Sequence, residues 1–394
     1  MRLLLISAEY PPVTDGIGTY VASLAPALVA LGHEVHVLSC RAGQAAEDVE
    51  DRGVRLHRRG LLALPAPARL APVSDRLRAA ASAALEARRL GRFDAIEAPD
   101  WLAEGLGPAL WRRTALVVHL HTPIGLITRS SGLPERRAVR AADALERLAC
   151  RRADLLTAPS RLLVEALERD GWLRPRPWYR HPPVRVIPYP IDPAPWAGLP
   201  GAEAAPPVVL AIGRLERRKA PEVLLAACAS LAREGAAVEL VLAGRSQSAY
   251  GSPSSSSSLR REAEREGLVL RLTDRVPHHE LPALLGGARV VALASRFDNF
   301  PMAGLEGLAA GRPVVCTTRT GTADLLAGTD AGAVVAPDDP AALAAALRPY
   351  LADRAAAGRA GAAARALVER ECSPAAVAGR REAVYREAAA RRAA

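Results

Sequence analysis

The chain has 394 residues, enough for two full domains, and half of them are apolar. Pro and Gly are frequent but dispersed, which fits a globular chain with many short connections and excludes a disordered one. The formal charge of +10 comes with scarce aromatics and no basic stripe interleaved with them, so a polyanionic substrate ranks first as partner, anionic lipid second and nucleic acid last.

The first half opens with a buried-strand run, Leu3 to Ser7, followed by a Pro/Gly loop, Pro11 to Gly18. A helical pattern from Tyr20 to Leu31 is closed by Gly32. Strands fit 34–39, 54–57, 95–97, 116–121, 155–157 and 184–187, with helical stretches between most of them. This alternation predicts a parallel sheet covered on both faces. Pro193 to Pro207 lacks a period and reads as a linker. The alternation then restarts, with strands at 208–212, 238–243, 269–272, 290–294, 314–317 and 333–336. Ser254 to Ser258 reads as a mobile loop between strand and helix, and Ser373-Pro374 opens a last Arg/Ala-rich helix. The expected domains are therefore 1–195 and 205–375, with 376–394 as a terminal helix packing back toward the first.

The five cysteines are widely spaced and form no CxxC pair, so a reducing compartment is expected, with neither disulfide framework nor zinc site. The opening residues are too short for a signal-peptide core, and no apolar stretch reaches bilayer-spanning length. A cytoplasmic protein is expected, at most weakly peripheral to an anionic membrane on its inner face. Residues 76–92 are the segment that such contact would use, against the plainer reading of a solvated helix face.

Ligands of open α/β sheets bind beyond the carboxyl ends of the strands, which selects loops 10–18, 97–101, 121–132, 213–219, 244–251 and 295–304. Lys219 is the only lysine in the chain, against 51 arginines. It closes Gly213-Arg214-Leu215-Glu216-Arg217-Arg218-Lys219, directly after an apolar strand. A compact ammonium serves where a planar fork does not, so Arg214 and Lys219 are candidate cations for a diphosphate. Gly16 and Gly18 suit close approach of backbone to phosphate at a helix start. Val21 stands where a dinucleotide fingerprint needs a third glycine, and no acid follows the second strand, which disfavours a nicotinamide cofactor. Asp298 and Glu306 flank Asn299, Phe300, Met302 and Ala303; carboxylates on either side of a helix start suit sugar and ribose hydroxyls as well as an anion. His121 ends a strand, with His119 deeper on the same face. Glu97, Asp100 and Trp101 are candidate acceptor contacts, with rim residues as the plain alternative. There is no metal-ligand cluster and no serine nucleophile elbow, so neither metal nor cofactor is expected.

In this order and spacing the motifs resemble glycosyltransferase family 4 over nearly the whole chain. The family's PP…GG loop, helix ending GHEV, GRL…KG loop and paired acids before AGxPVV look like Pro11 to Gly18, Gly32 to Val35, Gly213 to Lys219, and Asp298, Glu306 and Ala310 to Val315. The resemblance implies a GT-B fold: two Rossmann-like doubly wound parallel-sheet domains facing an interdomain cleft. It implies a retaining, metal-independent transfer from a nucleotide-diphosphate-sugar to a hydroxyl acceptor (a secondary metabolite, polysaccharide or lipid-linked glycan). Arg214 and Lys219 would hold the diphosphate, with Gly16 and Gly18 closing over it. Gly213 and Gly244 belong to the donor loops. Glu306 would bind the ribose, Asp298 with the 299–303 loop the sugar hydroxyls, and His121 the sugar near its 6-hydroxyl. Three departures stand out: Asp298 replaces a glutamate, Ala220 a glycine, and Tyr189-Pro190 the commoner Asn-Gly. The rival readings are a nucleotide-sugar epimerase or a phosphorylase on the same scaffold, and a basic non-catalytic membrane-surface protein.

Overall fold

The computed structural model describes residues 1–12, 16–63, 67–111, 114–174, 181–199, 205–245, 256–274 and 276–394. Two units result. The first comprises residues 1–129, 134–190 and 374–394, and the second 130–133 and 191–373.

The first unit is built on β1 (Arg2–Ile6), β2 (Glu34–Arg41), β3 (Glu47–Asp51), β4 (Val54–Gly60), β5 (Ala95–Pro99), β6 (Ala115–His119), β7 (Leu155–Ala158) and β8 (Val184–Val186). They lie in the order β3-β4-β2-β1-β5-β6-β7-β8. All pairings are parallel except that of β3 with β4. β1 and β6 are apolar runs because helices cover both faces of the sheet. β3, which pairs with β4 in a hairpin, escaped the sequence reading. Its sequence Glu-Asp-Val-Glu-Asp carries one apolar residue and stays exposed at the sheet edge, where a strand need not be apolar.

The second unit holds β9 (Val208–Ile212), β10 (Glu239–Ala243), β11 (Val269–Thr273), β12 (Ala288–Leu293), β13 (Val314–Thr317) and β14 (Gly332–Val335). Their order is β11-β10-β9-β12-β13-β14, all parallel. Its core gathers Val209, Leu224, Leu240, Val290 and Val315 with Leu343 and Leu347 of helix Pro340–Ala352.

Both sheets reverse direction at one point. From β1 the chain moves outward through β2, then returns to β5 on the other side; from β9 it moves through β10 to β11, then returns to β12. The loops after β9 and β12 therefore open at the switch point of the second sheet, where α/β folds take ligands.

Several expectations shift. The pattern expected as a helix from Tyr20 begins at Gly16, so the glycines form its first turn. Residues 13–15, the stretch 200–204 of the expected linker, and Ser254 with Ser255 of the expected mobile loop fall outside the described residues. Ser256–Arg265 is a helix, so the serine run enters regular structure. Trp196, inside the expected linker, is buried. Among the described residues no helix is long and apolar enough to cross a membrane. Helix Ala71–Arg89 does not offer Arg76 to lipid: the guanidinium is buried and pairs with Glu146 at 2.6 Å.

Helix Pro374–Ala393 lies in the first unit and drives Arg381 into its core. The Arg381 side chain is fully buried. It donates to the Thr157 hydroxyl at 2.5 Å, reaches Glu97 at 3.4 Å and approaches the His119 ring at 3.1 Å. Tyr20 and Tyr385 each donate to Glu97, at 2.6 and 2.7 Å. Removing one member of a buried ion pair strands the other in low dielectric. Arg381→Met should therefore cost about 3–5 kcal/mol of first-unit stability in urea unfolding. Adding Glu97→Gln to it should recover part of the loss, since the stranded charge goes with it.

Candidate functional site

Gly213 and Gly244 end β9 and β10 and stand back to back. A Cβ on Gly244 would lie 2.0 Å from the Gly213 carbonyl oxygen, and its φ of +153° is one that side chains rarely adopt. This close approach lets the loop from Arg214 turn across the sheet end, fixed by Leu215 N–H on the Arg245 carbonyl at 2.8 Å. A short 3₁₀ turn, Arg217–Lys219, follows. Ala220 then takes left-handed geometry (φ +50°), which costs a non-glycine residue about 1–2 kcal/mol, and helix Pro221–Arg233 begins.

The 3₁₀ turn aims two cations at the loop after β12. Lys219 Nζ donates to Asp298 Oδ2, and Arg218 Nη1 to Asp298 Oδ1 at 3.2 Å. Arg218 also donates to the Phe297 carbonyl at 2.8 Å and to Glu216 at 2.6 Å. Arg296 grips the turn from the other loop, donating to the Arg217 carbonyl at 2.7 Å and pairing with Glu222 at 2.8 Å. Asp298 is held in register by its N–H on the Arg319 carbonyl and by Gly321 N–H on its own carbonyl. Burial alone would raise the Asp298 pKa, but Lys219 and Arg218 outweigh it and hold the carboxyl below its usual range. Burial lowers the Lys219 pKa, and Asp298 only partly offsets this. The structure thus brings together two residues that the sequence reading assigned to different parts of a ligand. A small recess lined by Gly213, Arg214, Lys219 and Ser295 lies beside them.

Helix Met302–Ala309 starts immediately after this knot, capped by no side chain. The N–H groups of Met302 and Ala303 have no partner among the described residues. Asn299 and Phe300 are buried at the turn into this helix. One turn into the helix, Glu306 is 5% exposed and its carboxylate accepts no hydrogen bond among the described residues. His278 Nε2 lies 3.8 Å from its Oε1. Burial raises the Glu306 pKa to about 7. Arg218, Arg296 and His278 escaped the sequence reading. The first hides in an arginine run, and the other two lie far along the chain from the groups they meet.

In the first unit, Gly18 N–H meets the Glu9 carboxylate at 3.3 Å, at the first turn of helix Gly16–Ala30. Gly16 is exposed, with open space where a side chain would stand. His121 Nδ1 lies 2.7 Å from the Tyr189 hydroxyl, and its N–H donates to Asp100 Oδ1 at 2.8 Å. Burial first and Arg381 second lower its pKa to about 3, so the imidazole is neutral. Its loop is held from below as well: Ile124 N–H donates to Glu146 at 2.8 Å and Gly125 N–H to Asp143 at 3.1 Å. His119 is locked between Thr157 and Arg381.

Two expected acceptor contacts need correction. Glu97 is buried, and its carboxylate is taken up by Tyr20, Tyr385 and Arg381. Asp100 has no exposed surface, and burial pushes its pKa well above the usual range. Glu97 lies within β5 and Asp100 just beyond its carboxyl end; the first serves the core and the second the His121 loop, and neither stands on a rim. Trp101 is half-buried, with the Arg76 guanidinium 5.4 Å from its ring.

Two family models divide the chain. "Glycosyltransferase Family 4" matches residues 14–195, and "Glycosyl transferases group 1" matches residues 200–367. The glycogen synthase of Mycobacterium tuberculosis is 31% identical, over 93% of this chain and 89% of the relative. A D-inositol 3-phosphate glycosyltransferase of Frankia alni is 30% identical, over 90% of this chain and 92% of the relative. Among solved structures, sucrose-phosphate synthase from Thermosynechococcus elongatus superposes with a TM-score of 0.74 at 23% identity, covering 98% of each chain. Anabaena HepE in complex with UDP-glucose superposes at 0.69 and 18% identity, covering 98% of this chain and 99% of that one. With relatives of this identity along almost its entire length and both halves matched, the chain belongs to glycosyltransferase family 4 and is a glycosyltransferase of the GT-B fold.

Proposed function

We propose that this glycosyltransferase takes its sugar from a nucleotide diphosphate and transfers it, with retention at the anomeric carbon and without a metal ion, to a hydroxyl acceptor. The observation that carries the reading is the pairing, in one unit, of a cation knot with a buried carboxylate one helical turn away. An ammonium has three donors; Asp298 takes one, which leaves two for diphosphate oxygens. Arg214 lines the same recess. As the anomeric bond breaks, these cations and the open N–H groups at Met302 and Ala303 stabilise the departing diphosphate. Glu306, with no hydrogen-bond donor of its own among the described residues, suits the two hydroxyls of a ribose.

Asp298 reaches the sugar only through oxygens already bound to cations, so we read it first as the group that fixes Lys219 and second as a sugar contact. For the first unit, we keep Gly16 and neutral His121 as ligand-facing groups, whereas the Gly18 N–H is already taken by Glu9. Retention rests on the family resemblance. The names of the relatives point to two acceptor chemistries, a neutral glucan and a phosphorylated cyclitol. HepE's complex supports UDP-glucose as the first donor to try. A thermal-shift screen over UDP-, GDP-, ADP- and dTDP-sugars should show one base stabilising the protein; none doing so would overturn the donor reading.

Lys219→Ala should leave the fold intact, since Arg218 still neutralises Asp298, and should lower turnover of the cognate donor ten- to a hundredfold, the worth of one charge-assisted contact at about 1.5–3 kcal/mol. Lys219→Arg should restore little. A planar guanidinium fork does not reproduce the contacts of a compact ammonium that donates to Asp298 and to diphosphate oxygens at once.

Glu306 yields a prediction with a sign. Its folded pKa lies above its ordinary 4.5, so it adds no penalty below pH 4.5, a growing one up to about pH 7, and the full one above. That full penalty is about 3 kcal/mol. Glu306→Gln should therefore raise the melting temperature of the unliganded protein at pH 8 and leave it unchanged at pH 4. The same variant should weaken nucleotide binding about tenfold or more by calorimetry. Unchanged affinity would remove the ribose role.

A further inference from the structure

The first unit has a recess of about 340 Å³ at the carboxyl ends of β2 and β4, beside the loop that follows β1. Tyr10, Ser39, Arg41, Gln44 and Arg58 line it. Its size falls at the lower end of small-molecule sites, roughly 300–1,000 Å³. Its place obeys the rule that open parallel sheets bind ligands beyond their carboxyl edge.

The charges in it do not cancel. Arg58 is satisfied: it donates to Glu47 at 2.6 Å and to the Pro11 carbonyl at 2.6 Å. Asp51 accepts from the Tyr10 hydroxyl at 2.8 Å. Ser39 donates to the Ala8 carbonyl at 3.1 Å. Arg41 is different. It is half-buried, and its guanidinium has neither ion-pair nor hydrogen-bond partner among the described residues. The Gln44 side-chain amide has none either. The main chain beneath them is fixed: the Arg41 carbonyl accepts from Gln44 N–H at 3.3 Å and from Leu61 N–H at 3.1 Å. Five guanidinium donors partly withdrawn from water on a rigid strand end await an acceptor. A planar fork matches the oxygens of a phosphate monoester two at a time. Arg59, on the neighbouring β4, turns instead to Asp48 and Glu86, which leaves Arg41 uncompensated among the described residues.

We propose that this recess is the acceptor subsite and that it selects a small polyol carrying a phosphate monoester, with Arg41 clamping the phosphate and Gln44 hydrogen-bonding beside it. The glycosyltransferase reading enters only in calling the ligand an acceptor; the anion preference stands on the recess itself.

Calorimetry on the full chain tests it, with glucose 6-phosphate, myo-inositol 3-phosphate, their unphosphorylated parents, inorganic phosphate and UDP as probes. At least one sugar or cyclitol phosphate should bind tenfold or more tightly than its parent. Arg41→Gln should weaken that binding ten- to a hundredfold, Arg41→Lys should keep part of it, and UDP affinity should be unchanged in both. Circular dichroism and melting curves check that the variants are folded. Parents binding as well as phosphates, inorganic phosphate binding as tightly as either ester, equal binding by Arg41→Gln, or no phosphate binding by the wild-type protein would each overturn the proposal. Loss of UDP binding alone, with phosphate binding intact, counts against the donor site and not against this one.

Discussion

One carboxylate shared by two cations organises the second unit. Asp298 comes from the loop after β12, and Arg218 and Lys219 come from the loop after β9. These loops open side by side only because the sheet reverses its order between those two strands. All three groups are largely withdrawn from water, where an unpaired charge would be far costlier than in the open. The knot therefore fixes two loops at once and presents what remains of the ammonium's donor capacity beside a glycine pair that has cleared the space.

The first unit uses the same device for another purpose. Its buried ionisable groups (Glu97, Arg381, Asp100, Glu146) hold elements of structure together, and those nearest His121 also fix its loop by accepting main-chain N–H groups. A carboxylate aimed at backbone holds a loop more firmly than apolar packing, because hydrogen bonds are directional. His121 is kept neutral by that environment, so it can serve a ligand as a hydrogen-bonding group and not as a charge.

Much of this was legible from the residues. Apolar runs of strand length, broken by helical periods and by glycine turns, carry the two parallel sheets because strands buried on both faces have no polar face to blur the pattern. The loop from Gly213 to Lys219 and the acid pair Asp298 and Glu306 were visible as motifs. The joining of Lys219 to Asp298 was not, since 79 residues separate them and local spacing carries no long-range distances. Glu97 and Asp100 misled for a related reason: acids at the end of a strand look like rim residues until an arginine from the far end of the chain or a main-chain N–H is seen to consume them. Arg381 itself was indistinguishable from its neighbours in an arginine-rich helix.

The first unit is closed by the last helix of the chain, so its order of assembly on the ribosome is constrained. Residues 1–190 emerge first and carry Glu97, Tyr20 and His119, but the guanidinium that pairs with Glu97 lies at position 381. The whole of the second unit must be synthesised in the interval. Until residue 381 has been made, Glu97 lacks the cation it pairs with, so the first unit cannot complete its buried ion pair before the second has been synthesised.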